Sequence, residues 1–317
     1  MLGALSRAAD RIGGEPAFQI LTYHRVNDDD DPFLPAVPTQ VFKAQIRHIS
    51  KTYTVLPVDA LVDCMNRGRL PRNAIAITFD DGYRDNLTHA APIVARHGVP
   101  ATIFLATGYI ASTSRPWFDE VAVAFKTTRV TMARMPWGSL ELHTQVDRLA
   151  TLNQAWAWLK SLPEDEFDEG FHRILEALAP YHSTPNGHGA NGMLDWDDVK
   201  VIAGLGFSLG AHTVSHPILS RVTTGRARRE IEDCRDMIRA ATGTAPRAFA
   251  YPNGAPADYT DDVLRLVRQA GFTCAVTARF GVNTGRTSPW ELRRGGPWEH
   301  HLPTFALKLA GYRLLRA

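Results

Sequence analysis

Seven short runs of β-branched, aromatic and small apolar residues recur along the chain, and segments with helical spacing separate most of them. Because strands that alternate with helices build parallel sheets, this order predicts an α/β fold, either a barrel or a doubly wound sheet. The predicted strands are FQILTY (18–23), YTVL (53–56), AIAITF (74–79), ATIFL (101–105), FSLGA (207–211), RAFAY (247–251) and TCAVT (273–277).

One long region interrupts this alternation. Between Ser112 and Met193 there is no convincing long strand, whereas VDRLATLNQAWAWLKSL and EDEFDEGFHRILEALA have helical spacing and a Gly-rich loop follows them. We therefore expect a single domain over residues 1–317, with a helical insertion at about 112–193 and an amphipathic C-terminal segment at about 303–317. Such an insertion is a common place for structure that shapes a substrate site.

Two adjacent carboxylates, Asp80 and Asp81, end the strand AIAITF in the stretch ITFDDGYRD. Successive side chains of a strand point to opposite faces, and burial of an uncompensated carboxylate is costly. We therefore expect the two residues to have two different roles.

His212 and His216 stand four residues apart, just after the predicted strand FSLGA. Twelve histidines in 317 residues give roughly half of one such pair by chance, so the spacing alone is weak evidence for a metal. Their position strengthens it, because the carboxyl ends of parallel strands share one face where active sites are built. A carboxylate and two imidazoles there would leave a coordination position open for water, as in a catalytic zinc site. The other carboxylate would then be free to accept a proton from that water.

The composition argues against several other classes of function. A net charge of +2, with no Lys/Arg tract interleaved with aromatics, argues against a nucleic-acid partner. Cys64, Cys234 and Cys274 are odd in number and widely spaced, so neither a disulfide framework nor a zinc knuckle is indicated. No run of about 18 apolar residues occurs and the first residues lack a secretory pattern, so we expect a soluble, cytoplasmic protein.

The C-terminal run PTFALKLAGYRLLRA combines apolar residues with Lys308, Arg313 and Arg316. This pattern is compatible with a basic amphipathic helix on a membrane surface. Packing against the rest of the domain is the commoner fate of such a helix. Peripheral membrane contact through this segment therefore stays open.

Three motifs, TFDDGY, HTVSHP and FAYPNG, each follow a predicted strand and come in this order along the chain. Together they resemble the polysaccharide deacetylases built on the NodB homology domain, a family of metal-dependent carbohydrate N-deacetylases. The resemblance covers most of residues 17–295, except much of the insertion. It implies a distorted (β/α) barrel of about seven strands.

The resemblance also implies an activity, the hydrolysis of N-acetyl groups on amino sugars of a polysaccharide, oligosaccharide or lipid-linked glycan. It assigns Asp80 as the general base and Asp81, His212 and His216 as ligands of one divalent metal ion. Zinc is the first expectation, with cobalt, manganese, nickel and iron as alternatives. The backbone N–H of Asn253, the residue after the proline of the third motif, is expected to stabilise the oxyanion.

The third motif departs from the family pattern. Many relatives begin it with an arginine that orients the base, but Ala250 stands there, and Asn253 replaces a common tyrosine. Arg294, in the segment WELRRGG, resembles a late arginine of many relatives and is our candidate for pairing with Asp80, with Arg293 second. Two solvated arginines in a loop are the alternative.

The leaving amine needs a proton, and no late histidine matches the family securely. His24, at the end of the first predicted strand, ranks first as acid or substrate contact, although a core histidine bonded to backbone is the alternative. His300 and His301 lie in EHHLP without the surrounding motif, and His182 and His188 are expected to be polar loop residues.

Substrate contacts are expected from Tyr251 and Pro252 of the third motif and from Trp196. Trp117, Trp137 and Trp298 are further candidates for stacking on sugar rings, although most tryptophans are core residues.

Two other functions stay open. One is a hydrolase of another amide, N-formyl or cyclic, on the same scaffold, and the other is a noncatalytic glycan-binding module. Substrate profiling would separate the two hydrolases, and the full set of two aspartates and two histidines argues against the binding module.

Overall fold

The structure of the protein is a computed structural model that describes residues 15–179, 192–296 and 299–312. Its main sheet contains all seven strands predicted from the sequence, all parallel, and one short antiparallel strand. The strands of this sheet are β1 (Ala17–Tyr23), β2 (Thr54–Val55), β3 (Ala74–Phe79), β4 (Ala101–Leu105), β7 (Phe207–Ala211), β8 (Ala248–Ala250), β9 (Cys274–Val276) and β10 (Asn283–Thr284), and the two others are β5 (Met132–Met135) and β6 (Gly138–Glu141).

The strands form a curled, open barrel in the order β10, β1, β3, β4, β7, β8, β9. Strand β2 pairs with the start of β3, at Ala74 and Ile75, and β4 pairs with its end, at Thr78 and Phe79. Two strands thus share one edge of β3, which distorts the barrel. The prediction of an α/β distorted barrel is confirmed.

Helices flank the sheet and follow most of its strands. They are α1 (Thr39–Thr52), α2 (Val58–Asn66), α3 (Ala91–Arg96), α4 (Trp117–Thr127), α5 (Gln145–Ser161), α6 (Glu164–Leu178), α7 (Trp196–Gly204), α8 (Thr224–Thr242), α9 (Asp261–Gln269) and α10 (Leu302–Tyr312). Asp195 caps α7 in a capping box with Asp198, and Thr223 caps α8. Gly243 ends α8 with φ +77°, a backbone conformation that glycine adopts without strain.

Apolar side chains fill both faces of the central strands. From β3, Ile75, Ile77 and Phe79 join a large cluster under the outer helices, whereas Ala74 and Ala76 join a second cluster inside the barrel. This division follows the two-residue alternation of a strand that is buried on both sides. The strand ends are therefore held rigidly where the polar motifs begin.

The region between Ser112 and Met193 contains α4, α5 and α6, together with the β5–β6 hairpin that the sequence did not predict. These elements have a hydrophobic cluster of their own, which includes Val121, Phe125 and Leu159. Most of the Gly-rich loop, with His182 and His188, lies outside the described residues.

Helix α10 packs against the barrel through Phe305 and Leu309, which are fully buried. Gln19 of β1 donates a hydrogen bond to the carbonyl of Leu309 at 3.0 Å, whereas Leu307 is 57% exposed. Residues 313–317, which carry two of the basic side chains, lie outside the described residues. Across the described ranges, no helix is both long and apolar enough to cross a membrane.

Candidate active site

The polar motifs meet at the carboxyl ends of the parallel strands. Asp80 and Asp81 follow β3, and His212 follows β7, two positions farther along the sheet. Arg294 follows β9 and the antiparallel β10 in the chain. The barrel thus gathers side chains that are more than 200 residues apart in sequence on one rim.

Asp80 is paired with Arg294 in a two-point, charge-assisted contact. The guanidinium Nη1 and Nη2 atoms donate to the two carboxylate oxygens at 2.7 and 2.6 Å, and Nε donates to the carbonyl of Thr277 at 2.9 Å. Asp80 is 2% exposed and Arg294 is 4% exposed. Burial raises the pKa of Asp80, but the charge and the hydrogen bonds of Arg294 outweigh it, so this pKa lies below its ordinary value. Asp80 is therefore held as a carboxylate in one orientation.

Asp81, His212 and His216 form a separate buried group. Oδ1 of Asp81 lies 3.6 Å from Nε2 of His212 and 3.7 Å from Nε2 of His216. One potential ligand atom from each residue lies within 4.8 Å of the others. Oδ1 of Asp81 is buried and has no hydrogen-bond partner among the described residues. Because a buried carboxylate oxygen is rarely left unpaired, and because carboxylate and imidazole are common ligands, this group fits a divalent cation.

The protonation of this group also suits a cation. Burial lowers the pKa of His212 to about 4 and lowers that of His216 well below its ordinary value, so both imidazoles are neutral. Burial and the nearby charge of Asp80 raise the pKa of Asp81. Nδ1 of His212 lies 2.8 Å from the carbonyl of Ala250, which fixes the proton on Nδ1 and leaves Nε2 as a lone-pair donor. A bound cation would supply the positive charge that Asp81 lacks.

The loop between the two histidines is held by Glu230 of α8. Its carboxylate accepts hydrogen bonds from the backbone N–H groups of Val214 and Ser215 at 2.9 and 2.8 Å and from the Ser215 hydroxyl at 2.5 Å. Thr213 and His216 both have positive φ, at +67° and +56°. Such conformations are costly for these residue types and persist where surrounding bonds impose them. Sequence reasoning missed Glu230, which looks like any helical glutamate.

A cavity of about 740 Å³ opens above these groups, with Asp80, Asp81 and both histidines in its wall. The insertion contributes Trp117, Phe118, Asp119, Trp156 and Lys160 to the lining. Phe280, which is 56% exposed, stands in the lining next to Gly295, where an added Cβ would lie 2.6 Å from its ring. The cavity thus combines an acidic and histidine-rich floor with aromatic walls.

Asp119 links the insertion to the TFDDGY motif and to the segment that follows β1. Its carboxylate accepts hydrogen bonds from Arg25 at 2.5 Å and from the hydroxyl of Tyr83 at 3.2 Å. The Arg25 guanidinium also stacks 3.8 Å from the centre of the Tyr83 ring. The sequence analysis missed all three residues, although Tyr83 belongs to TFDDGY and Arg25 follows His24 directly.

Two other expected residues, His24 and Asn253, also line the cavity. Nε2 of His24 lies 3.9 Å from Oδ2 of Asp80, and the His24 side chain is 42% exposed. Burial lowers the pKa of His24, and the charge of Asp80 opposes this shift. Asn253 has φ +60°, and its backbone N–H has no acceptor among the described residues.

Tyr251, Pro252 and Trp196, the expected substrate contacts, lie in the core or against it. Tyr251 is 1% exposed, donates its hydroxyl to the carbonyl of Trp290 at 3.1 Å and stacks on Tyr259. Pro252 is buried, and Trp196 packs against the core at the start of α7. None of the three is among the described residues that line the cavity.

The other tryptophan, histidine and arginine candidates differ in whether they line the cavity. Trp117 lines the cavity, whereas Trp137 packs against Trp158 with ring centres 5.5 Å apart. His300 lines the cavity, and Nδ1 of His301 lies 2.9 Å from the Thr304 hydroxyl. The side chain of Arg293 packs beside Gly281 and makes no ion pair among the described residues. Trp298 lies outside the described residues.

The model of the polysaccharide deacetylase family matches residues 67–275. The chain is 32% identical over 88 residues to the putative polysaccharide deacetylase YxkH of Bacillus subtilis, covering 27% of this chain and 30% of that protein. It is 29% identical over 108 residues to the poly-β-1,6-N-acetyl-D-glucosamine N-deacetylase of Staphylococcus epidermidis, covering 30% and 37%. The matches thus span little more than a third of these curated relatives at most.

Among solved structures, the fold is similar to that of the Streptococcus pyogenes deacetylase PplD in complex with acetate. The TM-score is 0.59 at 18% sequence identity, over 89% of this chain and 92% of that one. At this identity the likeness concerns the fold.

Proposed function

The chain belongs to the polysaccharide deacetylase family, and we propose that it hydrolyses the N-acetyl groups of amino-sugar residues in a glycan. The observation that carries the proposal is the Asp80 carboxylate, fixed by Arg294 next to the buried group of Asp81, His212 and His216. A proton acceptor beside a cation site is one arrangement that hydrolyses amides at neutral pH.

Asp81, His212 and His216 would hold the divalent cation. Bound there, it would polarise the amide carbonyl and lower the pKa of a water molecule. Zinc is our first proposal, since two neutral imidazoles and one carboxylate with an open position suit catalytic zinc, and cobalt, nickel, iron and manganese bind similar ligands.

Asp80 accepts the proton of the attacking water in this proposal. Arg294 keeps both carboxylate oxygens in place and keeps the group ionised. As water adds to the carbonyl carbon, the carbonyl oxygen gains negative charge, and the backbone N–H of Asn253 is the proposed donor to it. This role is compatible with an asparagine in place of a tyrosine, because the donor belongs to the backbone.

The C–N bond then breaks, acetate leaves with an oxygen from water, and the amine must take up a proton. His24 is the proposed donor or relay, because Nε2 lies 3.9 Å from Oδ2 of Asp80, where the proton first arrives. Its lowered pKa suits a group that gives up a proton readily.

The walls of the cavity support a sugar as the substrate. Trp117, Phe118, Trp156 and Phe280 line a space of about 740 Å³, and aromatic rings can pack against the apolar faces of pyranose rings. The relative from Staphylococcus epidermidis is named for poly-β-1,6-N-acetyl-D-glucosamine. Oligomers of N-acetylglucosamine are therefore the first substrates to test.

The test is acetate release from zinc-loaded protein with β-1,6- and β-1,4-linked N-acetylglucosamine oligomers. N-formylated and O-acetylated sugars serve as competing substrates. The proposal requires acetate together with a free amine on the product, and loss of both in Asp80→Asn. Release from esters or formamides alone would replace it with another hydrolase activity.

A further inference from the structure

Lys160 lies in the last turn of α5 and reaches from the insertion to the third motif. Its Nζ atom donates a hydrogen bond to the side-chain carbonyl oxygen of Asn253 at 2.8 Å. It lines the active-site cavity and also a neighbouring cavity of about 210 Å³. Asn253 Oδ1 is the hydrogen-bond partner of this ammonium group within the described ranges.

The turn that Lys160 contacts has an unusual backbone. Asn253 has φ +60° and Gly254 has φ +73°, so two successive residues are left-handed. Asparagine tolerates this conformation better than most residues, yet it remains less favourable than the extended alternative. Such a turn needs contacts that hold it.

The side-chain amide of Asn253 is held at both ends. Lys160 donates to its oxygen, and its nitrogen donates to Oδ2 of Asp258 at 2.5 Å. The same carboxylate oxygen accepts the N–H of Ala255 at 2.7 Å. Asp258 therefore fixes the turn from within its own loop, whereas Lys160 fixes it from a different part of the protein.

We propose that Lys160 is a positioning residue that holds the Asn253 turn, and with it the backbone N–H of Asn253, in place for catalysis. The inference rests on the proposed function, in which this N–H stabilises the oxyanion. A backbone donor is effective only when it is fixed before charge develops. The insertion would then complete the catalytic site from across the cavity, at the motif that departs most from the family pattern.

Exposed lysines commonly make hydrogen bonds of little energetic value. A second lysine of the insertion allows this ordinary case to be compared with Lys160. Lys126 of α4 is also in the insertion and binds Asp31 at 2.7 Å, but it is not among the described residues that line the cavity. Lys126→Met is thus a matched control for Lys160→Met, and Lys160→Arg tests whether a donor at this position suffices.

The first measurement is hydrogen exchange of residues 251–258 in zinc-loaded protein, which requires no turnover. The N–H groups of Gly254 and Ala255 are both bonded within the turn. We expect faster exchange in Lys160→Met, near wild-type exchange in Lys160→Arg and no change in Lys126→Met. Unchanged exchange in Lys160→Met would overturn the proposal.

The second measurement is a double-mutant cycle with Asn253→Ala on N-acetylglucosamine oligomers. Losing a single oxyanion donor costs about 100-fold or more in kcat, and loosening one should cost less, roughly 10-fold for Lys160→Met with little change in KM. If Lys160 acts through Asn253, adding Lys160→Met to Asn253→Ala causes no further loss. Fully additive losses would instead mean that Lys160 acts elsewhere, and would overturn the proposal.

The two measurements also separate this inference from the proposed function. If wild-type protein releases no acetate from any N-acetylated glycan, the proposed function fails. The exchange data would still decide whether Lys160 holds the turn.

Discussion

Arg294 and Asp80 are 214 positions apart in the chain and meet through two buried hydrogen bonds of 2.7 and 2.6 Å. Arg294 supplies a positive charge to Asp80 from a distant loop, whereas Ala250 of the third motif carries none. The planar guanidinium matches both carboxylate oxygens at once, which sets the orientation of Asp80 as well as its charge.

Removing the Arg294 guanidinium should impair both folding and turnover. Arg294→Met leaves the Asp80 carboxylate buried and unpaired, which costs about 3–5 kcal/mol in the free energy of unfolding. Arg294→Lys keeps the charge but loses the two-point contact, so we expect an intermediate kcat. Denaturant titration and steady-state kinetics measure both effects. Arg293→Ala is the control, and an equal loss in that variant would contradict a specific role for Arg294.

The acidic limb of the pH–rate profile should depend on Arg294. Because Arg294 helps to hold the pKa of Asp80 below its ordinary value, the wild-type base stays ionised into the acid range. This pairing stabilises the fold above the unfolded-state pKa, and the contribution is lost as pH falls through the folded-state pKa. In Arg294→Met, burial would dominate the pKa of Asp80 and raise it. The acidic limb of the kcat/KM profile should therefore move to higher pH. A limb at the same pH in both proteins would exclude Asp80 as the titrating base.

Glu230 should set the affinity for the metal ion without being a ligand. Glu230→Gln weakens the bonds to Val214 and Ser215 that shape the loop between the histidines. Loss of such supporting contacts typically costs roughly 10- to 100-fold in metal affinity. Competition with a fluorescent zinc chelator measures this affinity. Glu232→Gln, at a partly exposed glutamate of the same helix that pairs with Arg228, should leave the affinity unchanged. Equal affinities in all three proteins would refute the role.

Phe280 should contribute to glycan binding more than to chemistry. Phe280→Leu keeps an apolar side chain but removes the ring, so KM for oligomers should rise roughly 3- to 10-fold while kcat changes little. Phe280→Trp should retain the wild-type KM. Met132→Ala, at a side chain that is 60% exposed and outside the described lining, controls for loss of surface apolar area. A normal KM in Phe280→Leu would remove Phe280 from the binding surface.

Features with strong local patterns could be predicted from the sequence. The alternation in AIAITF and the motifs after the strands located the barrel and placed the aspartate pair with His212 and His216 on one rim, and the family resemblance assigned Asp81 to the metal. The β5–β6 hairpin was missed because its strands are only four residues long and SLE gives a weak alternation. Local sequence patterns thus predicted the fold, but not the details of the insertion.

The supporting residues could not be predicted because their roles depend on contacts distant in sequence. Glu230, Lys160 and Asp119 lie on helices, where a charged residue resembles any solvated one until the chain is folded. Tyr251 shows the opposite error, since a place in a motif does not reveal which way a side chain points. In the structure the ring of Tyr251 lies in the core.

The division of labour between the two adjacent aspartates is tested most directly by zinc content and turnover of Asp80→Asn and Asp81→Asn, measured on the same preparations. We expect about one zinc per chain in Asp80→Asn with kcat reduced roughly 100-fold or more, because the base is lost and the ligands remain. Asp81→Asn should lose both zinc and activity. Full zinc occupancy in Asp81→Asn, or equal loss of zinc in both variants, would contradict separate roles for Asp80 and Asp81.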